Sequence, residues 1–435
     1  MKRRLIFGFV TIALVVNLFF GARVYSAASG PAQKDSAYSN LELFTVVLER
    51  VRKEYVDGTN LSYQKLVYGA LKGMINTLDP HSEFLDPEEY KELQSDTEGN
   101  FGGLGIVVGM KDNWVTVISP MEDSPGYKAG ILSGDRIIKI EGESTETTAL
   151  TDVVKTLRGE AGTKVNITIY RPSTKITKDF TLTRAVIKVD MVEDINEKKE
   201  FPLGPDKIGY IRIIQFGETT GDELEAAIKK LKAQGMQGLV LDLRWNPGGL
   251  LDEAVDVCSK FLSRGQPVVS TEGRDVTENY ARKATGSDQL KGAPIVILAN
   301  LESASAAEIV TGCLQDLHRA VVLGERTFGK GSVQSVINLD DGSALKLTTA
   351  KYYTPSHKVI HEHGITPDIY VPMSDQQEHD LSVRRTPGGL ESLDDTERAR
   401  VEADSDPQLD RATDLLKGLI LYSDHAIGSG KMAAK

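Results

Sequence analysis

GLVLDLRWNPGGLLDEAVDVCSKFL, residues 238–262, reads as an apolar strand, a tight turn (WNPGG, 245–249) and a helix in succession. The same alternation continues on both sides. Upstream lie the strand KIGYIRI (207–213) and the amphipathic helix ELEAAIKKLKAQG (223–235). Downstream lie strands PVVS (267–270) and APIVILAN (293–300), a helix from about 304 to 317, and strand AVVLGE (320–325). Apolar strands interleaved with helices predict an α/β core. A hairpin follows, SVQSVINL (332–339) and SALKLTTAKYY (343–353) joined through a DDG turn.

The texture differs outside this core. Residues 38–95 carry apolar positions at helical spacing, such as Leu43, Val46, Val47 and Val51, interrupted by the turn-like DPHSEFLDPEE (79–89). Residues 96–189 break into short β runs, among them LGIVVG (104–109), WVTVIS (114–119) and KVNITIY (164–170). The core is expected over 190–372. Residues 373–405 are rich in Asp, Glu, Arg and Ser and read as a flexible charged linker. A last amphipathic helix and tail occupy 406–435.

Composition narrows the function. Of 435 residues, 40% are hydrophobic and 26% charged, which fits two or three globular domains and excludes wholesale disorder or a polytopic membrane protein. The net charge is −11, so a phosphate backbone is not an expected partner. The two cysteines, Cys258 and Cys313, are too few for a disulfide scaffold or a four-Cys zinc site and read as buried thiols. Residues 1–28 join a basic start (Lys2, Arg3, Arg4), an apolar run at 5–20 and small residues at 26–28. That is a secretory signal peptide or an N-terminal membrane anchor, and either one exports the body.

No G-x-S-x-G elbow, H-E-x-x-H helix or G-x-G-x-x-G fingerprint occurs. GERTFGKG (324–331) approaches a phosphate-binding loop, but Gly331 follows Lys330 where Ser or Thr is needed, and the segment leads to a strand rather than a helix. Ser305 heads the helix in NLESASAAEIVTG (300–312). Ser-x-x-Glu is a capping box, so on the local pattern alone Ser305 reads first as a cap and second as a nucleophile beside a helix N-terminus. His318 would lie about 20 Å away along a continuous helix, out of reach as its base. The base candidate is Lys330, flanked by two glycines, provided burial strips its proton. His361 and His363 share a face only if that stretch is a strand, with His357 as a possible third ligand, but no carboxylate or Cys completes a metal site, so no metal or cofactor is expected.

Taken together, SASAAEI (303–309), TFGKGSVQ (327–334) and LDLRWNPGGLL (241–251) closely resemble the C-terminal processing peptidases, or tail-specific proteases. DPHSEFLDPEEY (79–90) and LKLTTAKYYTP…GITPDIYV (345–371) extend the resemblance over most of the chain. It implies a crotonase/ClpP-like α/β protease core, an inserted β-rich PDZ domain and an N-terminal helical region. Carried over, it makes Ser305 the nucleophile, Lys330 the general base and Gln334 the residue that orients the amine. The oxyanion donors fall on the N–H groups of Ala306 and Gly248. Asn246 is expected to shape the turn.

NFGGLGIVV (100–108) with AGILSGDRIIKIEG (129–142) resembles a PDZ domain. Gly102, Gly103, Leu104, Gly105 and Ile106 would then receive a peptide C-terminus and pair with its strand. Arg158 is a candidate contact between this module and the core. The expected activity is an exported serine endopeptidase of the periplasm or cell envelope, acting through an acyl-enzyme on proteins with accessible C-termini. Anchoring to the inner membrane and homo-oligomer formation stay open. Two other readings compete, a catalytically silent PDZ scaffold and a Ser-His hydrolase using His81, His361 or His363.

Overall fold

The computed structural model describes residues 36–57, 61–121, 123–274, 279–386, 389–390 and 393–432. The expected signal or anchor at 1–28 lies outside them. The chain falls into two compact units, residues 1–74 and 75–435. No helix among the described residues is long and apolar enough to cross a membrane.

The first unit holds helix α1 (Ala37–Glu54) and all but the last residue of α2 (Tyr63–Ile75). The Arg52 guanidinium stacks over the Tyr63 ring at 3.6 Å, tying the end of α1 to the start of α2. The apolar residues that gave α1 its period, Leu43, Val46 and Val47, are exposed in this unit.

The second unit begins with strand β1 (Glu83–Leu85) and helix α3 (Pro87–Glu98). Asp86 caps α3 by accepting the N–H groups of Glu88 and Glu89, while the Glu89 carboxylate returns to the Asp86 N–H. Part of the segment read as a turn is therefore a strand, and β1 pairs antiparallel with β18 of the core. The region 38–95 is accordingly not one helical body.

The module that follows contains β2 (Asn100–Gly103), β3 (Ile106–Lys111), β4 (Trp114–Pro120), α4 (Pro125–Lys128), β5 (Arg136–Ile140), β6 (Glu143–Ser144), α5 (Leu150–Leu157), β7 (Lys164–Arg171), β8 (Ile176–Thr183) and β9 (Ala185–Lys188). Five strands make the sheet β3-β4-β5-β7-β8, with β6 on the edge of β5. Its inner face and α5 enclose Val115, Val117, Ile137, Val153, Val165 and Ile167. Entry strand β2 and exit strand β9 pair with each other, as an insertion into another domain requires.

The core adds β10 (Val192–Glu193), β11 (Ile208–Ile213), α6 (Thr220–Ala233), β12 (Gly238–Asp242), α7 (Leu251–Ser259), β13 (Pro267–Gly273), β14 (Tyr280–Lys283), β15 (Ile295–Ala299), α8 (Ala306–Asp316), β16 (Val321–Gly324), β17 (Ser332–Asn338), β18 (Ala344–Tyr353) and β19 (Ile369–Tyr370). The main sheet runs β10-β11-β12-β15-β16-β19, parallel from β11 onward, with β10 antiparallel. All five residues of β12 and of β15 are buried, which explains their unbroken apolar reading. A second, antiparallel sheet runs β1-β18-β13-β14, with β17 paired to β18.

Residues 373–405 are not a free linker. They form α9 (Asp375–Arg384) and α10 (Asp395–Ala403), capped by Ser374 and Asp394. Asp380, fully buried, pairs with Arg400, and Arg385 pairs with the buried Asp242 at 2.6 Å. Two of the charges that suggested solvation, Asp380 and Arg385, are instead paired within the fold. The last helix, α11 (Pro407–Met432), packs Ala412 and Leu416 against Val240 and Val296 of the main sheet.

Candidate active site

Ser305 sits where β15 passes into α8. It is 8% exposed and holds φ 55°, ψ −114°, a conformation nearly reserved for glycine. The arrangement has the outline of a capping box, yet the hydroxyl makes no full cap hydrogen bond. Glu308 supplies the other half, accepting the Ser305 N–H at 2.9 Å. The Ala306 N–H has no hydrogen-bond partner among the described residues.

The fully buried Glu308 carboxylate does more than cap. Its Oε2 also accepts the Lys330 N–H at 2.8 Å, and its Oε1 accepts from the Gly329 N–H at 2.7 Å and Thr327 Oγ1 at 2.6 Å. Burial pushes this carboxyl above its ordinary value, and the four hydrogen bonds oppose the shift. The loop carrying Lys330 is thereby fastened to the helix carrying Ser305. The sequence marked Glu308 only as the fourth residue of a capping box.

The turn 245–249 comes against the same place. Asn246, fully buried, donates through its amide to the Ile213 carbonyl at 2.7 Å and accepts the Gly248 N–H at 2.8 Å. It is a turn residue, as expected. Gly248 has φ +100°, and a Cβ there would stand 2.7 Å from Ser305 Cβ, so glycine is required. Because Asn246 already takes its N–H, the expected oxyanion role of Gly248 meets an obstacle. The neighbouring Gly249 lines the cavity, and its N–H has no partner among the described residues.

Ser305, Lys330 and Gln334 line one cavity of about 530 Å³, with Phe216, Leu250 and Tyr352 among its apolar walls. No hydrogen bond joins the Ser305 hydroxyl to the Lys330 amine. Burial presses Lys330 below the ordinary lysine value, and the Lys346 charge adds to that, against Glu83 and Glu308. Gln334 reaches the cavity by a route other than strand alternation. Lys330 precedes β17, and the pairing of β17 with β18 shifts between Val333 and Gln334. The Gln334 amide donates to Ser332 Oγ at 2.8 Å and Thr348 Oγ1 at 3.3 Å.

Among the described residues no histidine lines this cavity, which counts against the Ser-His reading. His318 lies beyond the far end of the continuous α8. Residues 361–363 form a turn, so the shared-face condition for His361 and His363 is not met. Segment 325–331 joins two strands, β16 and β17, as the rejection of a phosphate loop required. Cys258 and Cys313 are buried free thiols.

In the inserted module, Gly103, Leu104, Gly105 and Ile106 line a groove of about 170 Å³ with Val154 and Leu157 of α5. Gly105 has φ +63°, and a Cβ there would lie 2.2 Å from Ser124 Cβ. Gly102 lies outside the groove, in the β2–β9 ribbon opposite Val186. Arg158 lines the groove end, stacks 4.4 Å from the Phe101 ring centre and pairs with Asp96 of α3 at 2.9 Å. Its partner is thus the helix leading into the module.

A model of peptidase family S41 matches residues 207–371, and a PDZ domain model matches residues 116–171. Over 430 residues the chain is 40% identical to the carboxy-terminal-processing protease of Bartonella bacilliformis, covering 93% of this chain and 96% of that protein. The chain belongs to peptidase family S41. This S41 peptidase is also 34% identical over 381 residues to the carboxy-terminal processing protease CtpA of Bacillus subtilis, covering 86% of this chain and 79% of the relative. Among solved structures it matches a photosystem II D1 C-terminal processing protease at 30% identity and TM-score 0.45, over 80% of this chain and 97% of the other. The S41 peptidase is therefore a serine-type peptidase with a PDZ domain, acting on protein or peptide substrates.

Proposed function

We propose that this S41 peptidase is an exported endopeptidase that reads protein C-termini with its PDZ groove and cuts with a Ser305–Lys330 dyad. The observation that carries the reading is the Glu308 clasp, which ties the backbones of both residues beside one cavity. With the backbones fixed, a change of lysine rotamer is what brings amine to hydroxyl. Neutral Lys330 takes the Ser305 proton as the oxygen attacks the scissile carbonyl. The Ala306 N–H receives the oxyanion, joined by a glycine N–H of the turn. Gly248 serves if Asn246 releases it, and Gly249 is the better placed of the two.

Lys330 then protonates the leaving amine and afterwards activates the water that hydrolyses the acyl-enzyme. Gln334, whose nitrogen is spent on the hairpin, has its carbonyl oxygen left to orient the amine. A substrate C-terminus enters at Leu104–Ile106 and lies along β3, with Gly102 and Gly103 holding the loop and Arg158 linking the groove to α3. The basic and apolar residues of 1–28 support delivery to the periplasm or cell envelope.

The test is cleavage of a peptide with a free, apolar C-terminus. Wild type should cut it, while Ser305→Ala and Lys330→Ala should bind it in the PDZ groove without turnover. Binding by wild type with no cleavage at any pH would favour the scaffold reading instead.

A further inference from the structure

The segment DPHSEFLDPEE has found no part in the chemistry so far, yet the structure brings it to the catalytic cavity. Asp79 accepts the N–H groups of His81 and Ser82 at 2.8 and 2.9 Å and the Ser82 hydroxyl at 2.8 Å. Ser82 Oγ in turn accepts the Thr348 N–H at 3.0 Å. This fixes the register of β1 on β18 so that Glu83 stands directly opposite Lys346. The Lys346 ammonium pairs with Glu83 Oε2 at 3.0 Å, and Lys346 lines the cavity with Ser305 and Lys330.

Two lysines on one half-enclosed cavity repel each other, and the second to ionise does so at greater cost. Other charged or titratable groups surround Lys330. Glu308 faces it from α8, His81 from the turn before β1 and His361 from the turn packed on Gly331. Asp252 and Arg282 also line the cavity but pair with each other. Lys346 is the cation that acts on Lys330 without a covalent or hydrogen-bonded link to the dyad.

We propose that Glu83 and Lys346 form a charge-setting pair for the dyad: Lys346 is a positioning residue that disfavours a second cation in the cavity, and Glu83 holds and partly offsets it. The proposal rests on Lys330 being the general base. The Lys346 charge lowers the Lys330 value and Glu83 raises it, both beneath the larger influence of burial. The DPHSEF segment thereby acquires a function, delivering one carboxylate at a fixed register.

The experiment is the pH profile of kcat/KM on a fluorogenic peptide with a free apolar C-terminus, for the full chain. Lys346→Met should move the midpoint of the rising, acid-side limb to higher pH, by on the order of half to one unit. Lys346→Arg keeps the charge and should leave the midpoint near that of wild type. Glu83→Gln keeps an oxygen for Lys346 but loses the negative charge, so its midpoint should move to lower pH. Opposite shifts from the two halves of one ion pair are beyond a merely structural role, which would lower turnover at unchanged midpoint. The proposal is overturned if Lys346→Met leaves the midpoint unmoved, or if both variants move it the same way. Lys330→Ala serves as the separate control, because activity retained there would remove the dyad itself.

Discussion

The backbone N–H groups of Ser305 and Lys330 converge on one oxygen atom, Glu308 Oε2, at 2.9 and 2.8 Å. The proposed nucleophile and base come from segments 25 residues apart in sequence, and this shared acceptor sets the relative position of their backbones. Glutamine at 308 would keep the shape but could accept on one oxygen only, turning its nitrogen toward an N–H. Glu308→Gln should lower kcat by about 100-fold, the scale of a misplacement near 1 Å. It should also cost roughly 1–3 kcal/mol of stability for the unsatisfied groups, read from denaturant melts.

Ser305 holds a backbone conformation that costs a non-glycine residue about 1–3 kcal/mol. Both Ser305→Ala and Ser305→Gly remove the proposed nucleophile, but only glycine relieves the strain. After allowing for the greater freedom of glycine in the unfolded chain, Ser305→Gly should be more stable than Ser305→Ala by about 1 kcal/mol. Paired melts of the two inactive variants check this. Equal stability, or alanine the more stable, would mean that no strain is stored at the nucleophile.

The C-terminal segment anchors a buried charge cluster just ahead of the glycine turn. Asp242 accepts from Arg244, from Arg385 at 2.6 Å and from Tyr210 Oη at 2.7 Å, while Arg244 also holds Asp406 at 2.8 Å. Burial alone would raise the Asp242 pKa, yet the two guanidiniums hold it well below the usual carboxylate range. Arg385→Met leaves two buried carboxylates with one arginine and should destabilise by roughly 3–5 kcal/mol. With a depressed pKa, the Asp242 contribution is complete above the ordinary carboxylate value and lost as pH falls below it. The variant's deficit should therefore shrink in acid, as melts at neutral and low pH would record.

A depressed lysine follows the same linkage in a higher pH window. The folded state favours the neutral Lys330 amine, so its contribution is present above the ordinary lysine value near 10.5 and is lost as pH falls below it. At neutral pH the residue is a cost. Lys330→Met should abolish turnover yet raise stability, by roughly 0.5–2 kcal/mol, a common gain where function holds a destabilising group. A lower melting temperature for Lys330→Met would contradict this.

The apolar alternation of 207–325 made the parallel sheet legible, because β12 and β15 are buried on both faces and their sequences show it directly. The hairpin was equally plain from its turn. Strand β1 was not, since three residues between turn-like acids carry no period and only the pairing with β18 makes them a strand. The helices of 373–405 were hidden for another reason. Asp380, Arg385 and Arg400 look solvated in sequence and find their partners only in three dimensions. At the site, Ser305 and Lys330 could be named from motif and resemblance. Glu308 masqueraded as an ordinary helix cap, and nothing in the sequence marks the register slip between Val333 and Gln334.

The proposed dyad requires a neutral Lys330 amine beside Ser305, and burial lowers the Lys330 pKa toward that state. The direct measurement is an NMR titration of lysine side chains labelled at the ε-carbon in Ser305→Ala protein, with Lys330 assigned by its loss in Ser305→Ala/Lys330→Met. This one resonance should titrate clearly below the other lysines. Titration together with the surface lysines, near 10.5, would contradict it.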